Sequence, residues 1–178
     1  PVPAIDTAHP RAASPAHFKS RKSARYNRQM TWKPRTTVAA IIERDGQFLM
    51  VSERSESGGI VLNQPAGHLE ASETLIDAVV RESLEETAWA VEPETLVGIY
   101  KWRIPPGGLT YVRYCFAARP LSQDSARRLD DGILSADWMP PEEIRRLVSM
   151  HRSPMVQSCL DDYLAGRSYP LELIHELD

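Results

Sequence analysis

The chain has 178 residues, two cysteines and a formal net charge of −3, which fits one domain with short extensions. The negative charge argues against nucleic acid as the main partner, and no apolar run approaches the ~18 residues of a membrane span. Cys115 and Cys159 are far apart in the sequence, so we interpret them as buried, reduced thiols of a cytoplasmic protein.

The first 29 residues differ in composition from the rest of the chain. They contain six Lys/Arg and one Asp, many Ala, Pro and Ser, and no sustained apolar periodicity. Such a segment does not bury enough apolar surface to offset its conformational entropy. We predict that residues 1–29 are a disordered basic tail or, since Met30 follows, a misassigned start, and that the domain spans 30–178. A mitochondrial transit peptide is a further alternative, which the prolines disfavour.

The remaining sequence predicts strands mixed with helices. Six segments rich in apolar and β-branched residues are predicted as strands: 36–43, 47–51, 60–64, 96–103, 109–117 and 136–139. Asp45-Gly46, between the first two strands, is a hairpin signal. Helices are predicted after Thr74, after Pro140-Pro141 and over 153–165, where Gly166 ends the last one. This order of elements indicates an α+β domain.

The helix after Thr74 carries the strongest chemical signal. Thr74 is predicted as its N-cap, with Asp77 completing a capping box, and the apolar stripe consists of Leu75, Ala78, Val79 and Leu84. The opposite face carries Glu82, Glu85 and Glu86, which repel one another by about 0.2–0.5 kcal/mol per pair. A hard divalent cation would neutralise them. The alternative is an ordinary solvated acidic face.

The loop Pro65–His68 precedes this helix. Gly67 is predicted to let the backbone turn sharply, so that its carbonyl faces the same cation. Arg81 is predicted to pair with Glu73, eight residues earlier, and so to tie the loop to the helix.

The spacing Gly67-x5-Glu73-x7-Arg81-Glu82-x-x-Glu85-Glu86 resembles the Nudix box of the Nudix hydrolases. The resemblance implies an α/β/α sandwich around a mixed sheet, and hydrolysis of a diphosphate linked to another group. It also implies a Mg²⁺ site, with Mn²⁺ as a possible substitute, at Gly67, Glu82, Glu85 and Glu86.

Two positions depart from the family pattern. Ser83 stands where a hydrophobic residue is usual, although its hydroxyl can bond back to a helix carbonyl. Ala88 stands where the family has Gly, which costs about 1–2 kcal/mol if the helix ends in a left-handed turn. Neither position is a predicted metal ligand, so the site is expected to be functional.

Four further stretches resemble the NudJ phosphatase branch of the bacterial Nudix enzymes: 63–70, 111–117, 152–154 and 169–172. This resemblance implies release of orthophosphate from nucleoside di- and triphosphates, and from thiamine-type diphosphates such as thiamine diphosphate and hydroxymethylpyrimidine diphosphate. The alternatives are a Nudix pyrophosphatase that attacks inner phosphates and a non-catalytic, Nudix-like nucleotide sensor. RNA binding by the basic tail is disfavoured because the tail lacks interleaved aromatic residues.

The resemblance and the residue types together suggest roles. Glu82 or Glu85 takes the proton from water, with Arg81 grouped among the catalytic residues; Asp130 or Asp131 is the alternative base. The residues predicted to contact the substrate are Arg113, His68, Trp102 and Asp131. Each has a structural alternative: a buried carboxylate partner for Arg113, a backbone bond for His68, a core position for Trp102 and a surface turn for Asp131. The expected partner is a small phosphorylated molecule, bound by a monomer.

Overall fold

A mixed sheet with its first strand at the centre organises the protein. The computed structural model describes residues 32–55 and 57–177, so the segment 1–29 and the predictions made for it lie outside the described residues. The strands are β1 (Arg35–Arg44), β2 (Gln47–Arg54), β3 (Ile60–Asn63), β4 (Ala66–His68), β5 (Trp89–Arg103), β6 (Thr110–Gln123) and β7 (Ile133–Met139).

The strand order along the sheet is β3-β2-β1-β6-β5, with β4 beside β1 and β7 beside β2. β1 and β6 are parallel, whereas the other strand pairs of the described chain are antiparallel. The first part of β1 pairs with β6 and β4, and its last two residues, Glu43 and Arg44, pair with β2. β1 therefore links the β2–β3 side of the sheet to the β6–β5 side.

Helices cover both faces of this sheet. They are α1 (Leu75–Thr87), α2 (Pro141–Arg146) and α3 (Pro154–Leu164), with 3₁₀ turns at Val148–Met150 and Leu171–Leu173. The α1-side cluster of buried residues consists of Val38, Ala40, Ile42, Leu49, Ala78, Val79, Val91, Leu96, Phe116 and Ala118. The α3-side cluster consists of Ala39, Ile41, Phe48, Met50, Leu62, Val97, Cys115, Ile144, Met155, Val156, Cys159 and Leu160. The predicted α/β/α sandwich is confirmed.

β1 contributes to both clusters by strict alternation. Val38, Ala40 and Ile42 belong to the α1-side cluster, and Ala39 and Ile41 to the α3-side cluster. Burial on both faces explains why this strand is a continuous apolar run rather than an alternating one. None of the described helices is both long enough and apolar enough to cross a membrane.

α1 has the predicted N-terminal cap and a strained C-terminal cap. The Thr74 hydroxyl accepts from the Asp77 N–H at 3.0 Å and donates to the Asp77 carboxylate at 2.7 Å. At the other end, Ala88 adopts the left-handed conformation with φ 59°, and its N–H donates to the Leu84 carbonyl at 3.0 Å. The departure from Gly at this position therefore falls where a Cβ is unfavourable.

The apolar stripe of α1 differs from the prediction at one residue. Ala78 and Val79 are fully buried, whereas Leu84 is half-buried and belongs to neither cluster. Ser83 occupies the buried position instead, because it lies one turn after Val79 and Leu84 lies about 100° further round the helix. The Ser83 hydroxyl donates to the Val79 carbonyl at 2.7 Å, so its burial leaves no unsatisfied polar group.

β5 and β6 are longer than predicted, and β4 replaces part of a predicted loop. β5 begins at Trp89, directly after α1, and β6 continues to Gln123. Their pairing shifts register at three places between Ala90 and Gly98, which removes the simple alternation that marks a strand in sequence. The three residues of β4 pair with Thr37–Ala39 of β1, a contact with no local sequence signal.

The C-terminal stretch, residues 169–177, docks on the same chain. Tyr169 exchanges two backbone hydrogen bonds with Leu96, both 2.9 Å long. Leu171 and Ile174 pack against the α1-side cluster. The Glu176 carboxylate accepts from the backbone N–H of Leu75, the first residue of α1, at 2.8 Å.

Candidate active site

A cleft of about 900 Å³ lies between α1 and β4 on one side and β3, β5, β6 and the start of α3 on the other. The predicted site residues that line it are Gly67, His68, Arg81, Glu82, Glu85, Glu86, Trp102 and Arg113. The fold thus brings a segment of about twenty residues together with Trp102 and Arg113, which lie on later strands.

Two of the α1 carboxylates are held in a largely buried environment. Glu82 and Glu86 are 9% and 8% exposed, and the Ala66 N–H donates to Glu86 Oε2 at 2.8 Å. Burial raises the pKa of Glu86 to about 8, and the charge of Glu82 adds to this effect. Burial also raises the pKa of Glu82, while its contact with Arg81 opposes the rise. A positively charged partner would therefore stabilise the ionised form of both carboxylates.

Arg81 links these carboxylates to the preceding loop. Its Nε and Nη2 donate to the Glu73 carboxylate at 3.0 and 2.8 Å. Its Nη1 donates to Glu82 and Glu85 at 2.8 and 2.9 Å, and Nη2 also reaches the His68 carbonyl at 3.1 Å. The predicted Arg81–Glu73 pair is present, and it fixes the loop against α1.

Gly67 is required for a different reason from the one predicted. It lies within β4 and pairs with Val38 of β1, and its φ is not in the left-handed range. A Cβ at this position would lie 2.0 Å from Glu82 Oε1. The absence of a side chain thus permits a close approach of the Glu82 carboxylate to the backbone, rather than a sharp turn.

Arg113 is buried without a carboxylate partner among the described residues. It is 5% exposed, and its Nη atoms make long contacts with two neutral amides, Asn63 Oδ1 at 3.4 and 3.5 Å and Gln64 Oε1 at 3.3 Å. Its Nε has no hydrogen-bond partner in the described chain. Arg113 also lowers the pKa of the adjacent Cys159 thiol, after the larger effect of the Cys115 hydrogen bond. Within the described chain, Arg113 therefore lacks the structural carboxylate partner that was its alternative role.

Aromatic side chains form another part of the cleft. The rings of Trp102 and Tyr111 are stacked, with centroids 6.3 Å apart and an interplanar angle of 25°, and the His68 ring lies 6.2 Å from Tyr111. Partial burial lowers the pKa of His68, and the charges of Arg35 and Arg152 add to the effect. The neutral imidazole and the two larger rings offer a flat, uncharged surface beside the charged groups.

Asp131 is the one predicted site residue that lies outside the cleft. Its side chain is 95% exposed and pairs with Arg128 at 3.1 Å. Its neighbour Asp130 lines the cleft instead, and the Asp130 N–H donates to the Glu85 carbonyl at 3.0 Å. Of the two candidates, only Asp130 therefore lines the cleft.

Three polar cleft residues absent from the sequence prediction are Thr37, Asn63 and Ser153, and Gln64, which contacts Arg113, was also not predicted. Asn63 and Gln64 carried a usable signal, since two amides end a strand immediately before the glycine loop. Thr37 and Ser153 had no such signal, because an isolated hydroxyl in a strand or before a helix is common in any fold.

The sequence profile of the NUDIX domain family matches residues 32–159. This range contains both α1, with its three carboxylates, and Arg113. The chain belongs to the Nudix family. Its enzymes are hydrolases that act on phosphoanhydride bonds.

Two bacterial relatives that align with most of this chain are both named Phosphatase NudJ. The chain is 36% identical over 147 residues to the Phosphatase NudJ of Shigella boydii serotype 4 (strain Sb227), which covers 83% of this chain and 94% of that protein. The Phosphatase NudJ of Escherichia coli (strain K12) matches with the same identity and coverage.

Solved structures also contain this Nudix fold. A NUDIX hydrolase from Nitrosomonas europaea superposes with a TM-score of 0.79 and 47% identity, over 82% of this chain and 98% of that one. A UDP-X diphosphatase superposes with a TM-score of 0.61 and 18% identity, over 76% and 65% of the two chains. The second likeness shows the fold alone.

Nudix hydrolases generally need a divalent metal ion, and the residues of this cleft fit one. Within the described chain no three carboxylates or imidazoles already converge as a closed ligand set, and Arg81 contacts Glu82 and Glu85. Mg²⁺ does not require a closed protein cage, since it keeps several waters and uses few carboxylates. The pKa values of Glu82 and Glu86 are raised because burial, together with neighbouring carboxylates, disfavours the charged forms. A bound cation would stabilise the charged forms and lower both pKa values.

Proposed function

We propose that this Nudix hydrolase is a Mg²⁺-dependent phosphatase that releases orthophosphate from small diphosphates and triphosphates. The proposed substrates are nucleoside di- and triphosphates and thiamine-type diphosphates, namely thiamine diphosphate and hydroxymethylpyrimidine diphosphate. The observation that carries the proposal is that Arg113, a buried cation with no carboxylate partner among the described residues, lies in the same cleft as the α1 carboxylates. Similarity to the NudJ phosphatases over most of both chains supports the choice of product.

The metal would be held by Glu82, Glu85, Glu86 and the Gly67 carbonyl. When bound, Mg²⁺ neutralises phosphate oxygens and makes a water molecule more acidic. Arg81 holds α1 against β4 and the segment that follows it, through its bonds to the His68 carbonyl and to Glu73. Mn²⁺ is proposed as a substitute, because it prefers the same oxygen ligands.

Glu85 is the proposed general base. Its side chain is 28% exposed, compared with 12% for Glu82, so it is the more accessible of the two candidates to a water in the cleft. Water oxygen adds to the terminal phosphorus, and the bond from that phosphorus to the bridging oxygen breaks. The proton goes to Glu85, and the bridging oxygen keeps the electron pair on the shortened phosphate product.

Arg113 and the aromatic surface are proposed to hold opposite parts of the substrate. The planar guanidinium matches two phosphate oxygens, and the Trp102–Tyr111 pair is suited to stack with a base or a pyrimidine ring. His68, neutral and beside Tyr111, extends this surface. A substrate with a flat ring at one end and phosphates at the other fits this arrangement.

Product identification with ATP and, separately, thiamine diphosphate tests the proposal. We expect orthophosphate to appear only with Mg²⁺, with ADP and then AMP from ATP, and thiamine monophosphate from thiamine diphosphate. Pyrophosphate with AMP from ATP would contradict the proposed phosphatase activity and favour a Nudix pyrophosphatase.

Variants of the carboxylates test the assignment of residues. Glu85→Gln is expected to lower kcat by at least about a hundredfold, the usual effect of losing a general base, and Glu86→Gln is expected to lower it as well, because a proposed metal ligand is lost. Glu142→Gln is the matched control, since Glu142 is exposed in the first turn of α2 and outside the cleft. Unchanged turnover in both cleft variants would contradict the assignment.

We also propose that the enzyme is a monomer and that it is located in the cytoplasm. Cys115 and Cys159 are buried and form no disulfide, which suits a reducing compartment. Sedimentation analysis and cell fractionation check the two statements.

A further inference from the structure

Unpartnered polar atoms are concentrated on the floor of the cleft. Five buried side-chain polar atoms of the described chain have no hydrogen-bond partner, and three of them, Thr37 Oγ1, Arg113 Nε and Ser153 Oγ, belong to residues that line the cleft. Buried polar groups are usually paired, and each unpaired one costs about 1–3 kcal/mol. Three such residues in one place indicate a site built for a ligand.

Two strands and a helix position these three residues. Thr37 and Arg113 are directly opposite each other in the parallel β1–β6 ladder. Ser153 occupies the N-cap position of α3, yet its side chain makes no capping bond. The 11-residue helix directs the positive end of its dipole toward its N-terminus, where Ser153 and Met155 line the cleft. Hydroxyl donors, a guanidinium and a helix N-terminus are all favourable to an anion.

The amides around Arg113 hold it without neutralising its charge. Asn63 Nδ2 donates to Glu53 at 3.3 Å and Gln64 Nε2 donates to the Val156 carbonyl at 2.7 Å. These two bonds turn both amide oxygens toward the guanidinium. Charge-assisted hydrogen bonds are normally 2.7–2.9 Å long, whereas the amide contacts of Arg113 are 3.3–3.5 Å long. Arg113 is therefore oriented but retains its charge for another partner.

We propose that Thr37, Arg113 and Ser153 form a subsite for the terminal phosphate of the substrate. Each is at least nine-tenths buried, so a group that reaches them lies at the closed end of the cleft and carries nothing beyond it. A terminal phosphate, with three oxygens to accept from these donors, meets that requirement. This inference rests on the proposed function and accounts for release of orthophosphate rather than pyrophosphate.

Binding of inorganic orthophosphate, measured by titration calorimetry of the full chain in Mg²⁺ buffer, is the test. Thr37→Val and Ser153→Ala are each expected to raise the Kd by about tenfold, the size of one hydrogen bond to a charged group. Arg113→Gln is expected to raise it by about a hundredfold. Thr36→Val and Ser158→Ala are matched controls, because Thr36 precedes Thr37 in β1 and Ser158 lies within α3, and both residues are outside the cleft; they should leave the Kd unchanged.

Thermal unfolding of the same variants separates binding from structure. Ser153→Ala should leave the Tm unchanged, because no capping bond is lost, and Thr37→Val should leave it unchanged or raise it, because an unpaired hydroxyl is removed. An unchanged Kd in both variants would overturn the subsite, and so would a wild-type chain that binds no orthophosphate.

Turnover is measured separately, so the two hypotheses fail in different ways. If ATP yields AMP and pyrophosphate but the three variants still weaken orthophosphate binding, the proposed function is wrong and the phosphate subsite stands. If orthophosphate is released from ATP but the variants bind it normally, the function stands and the subsite is wrong.

Discussion

At the scale of single residues, the close approach of Gly67 to Glu82 is the tightest constraint on the site. A Cβ at Gly67 would lie within 2.2 Å of three atoms of the Glu82 carboxyl group. Glu82 is anchored by Arg81 at 2.8 Å, so it has little freedom to move away. Position 67 thus requires Gly because the Glu82 carboxylate occupies the space of a Cβ, and not because of the backbone torsion angles.

Gly67→Ala is expected to displace the Glu82 carboxylate and lower kcat/KM by roughly a hundredfold, as a misplacement of about 1 Å can do. Steady-state kinetics with ATP or thiamine diphosphate measure the effect. Gly59→Ala is the control, because its added Cβ would meet only Ser55 Oγ, at an ordinary 3.5 Å. Equal activity of Gly67→Ala and the wild type would show that Glu82 tolerates another position.

Glu86 predicts a pH dependence of stability in the metal-free protein. Burial raises its pKa to about 8 from 4.5, so between these values the folded chain binds a proton that the unfolded chain has lost. Stability therefore falls as pH rises from about 5 to 8, with an upper limit of about 1.4 kcal/mol per pH unit from this group. Urea unfolding in EDTA at several pH values measures the slope.

Glu86→Gln should flatten this slope, since the amide does not titrate. The variant should also be more stable than the wild type at pH 8 when metal is removed. A wild-type stability that is constant from pH 5 to 8, or a slope that persists unchanged in Glu86→Gln, would show that Glu86 is not protonated as inferred.

At the scale of elements, α1 combines a favourable start with an unfavourable end. Its N-terminus is capped by Thr74 and by Glu176 from the C-terminal stretch. Its C-terminus closes with Ala88 at φ 59°, a conformation that Gly adopts without cost. The left-handed residue turns the chain directly into β5, which begins at Trp89.

Ala88→Gly is expected to stabilise the protein by about 1 kcal/mol, the difference between relief of left-handed strain and the added freedom of the unfolded chain. The matched control is Ala165→Gly at the end of α3, where φ is −77° and the same change should destabilise by about 0.5–1 kcal/mol. Urea unfolding of both variants measures the two signs. The same sign in both would contradict the strain argument.

At the scale of the whole molecule, the C-terminal stretch closes the α1 side of the sandwich. It contributes the Tyr169–Leu96 bridge, two apolar side chains packed on the α1-side cluster, and a bond to the first turn of α1. Because the same helix carries the proposed metal ligands, the stretch supports the candidate site without lining the cleft.

Deletion of residues 169–178 is expected to lower the free energy of unfolding by about 2–4 kcal/mol, from two half-buried apolar side chains and three hydrogen bonds. Deletion of only the last two residues is the control, since Leu177 is 93% exposed. Chemical denaturation compares the two truncations. A full deletion as stable as the wild type would mean that the docked stretch adds nothing.

The sequence by itself determined the parts of this protein that depend on local spacing. The capping of α1 by Thr74, the Asp45-Gly46 turn with both residues at positive φ, and the Arg81–Glu73 pair follow from residues within eight positions of one another. Helical periodicity likewise placed Glu82, Glu85 and Glu86 on one face, and that face lines the cleft.

Only the tertiary structure decided which distant residues meet. The parallel β1–β6 pairing sets Thr37 opposite Arg113, and α3 brings Ser153 to the same floor. The choice of Asp130 over Asp131, and the role of Gly67 as a gap for Glu82, also depend on contacts between separate elements. Such contacts are not encoded in local periodicity, because long-range pairing and side-chain burial are properties of the assembled sheet.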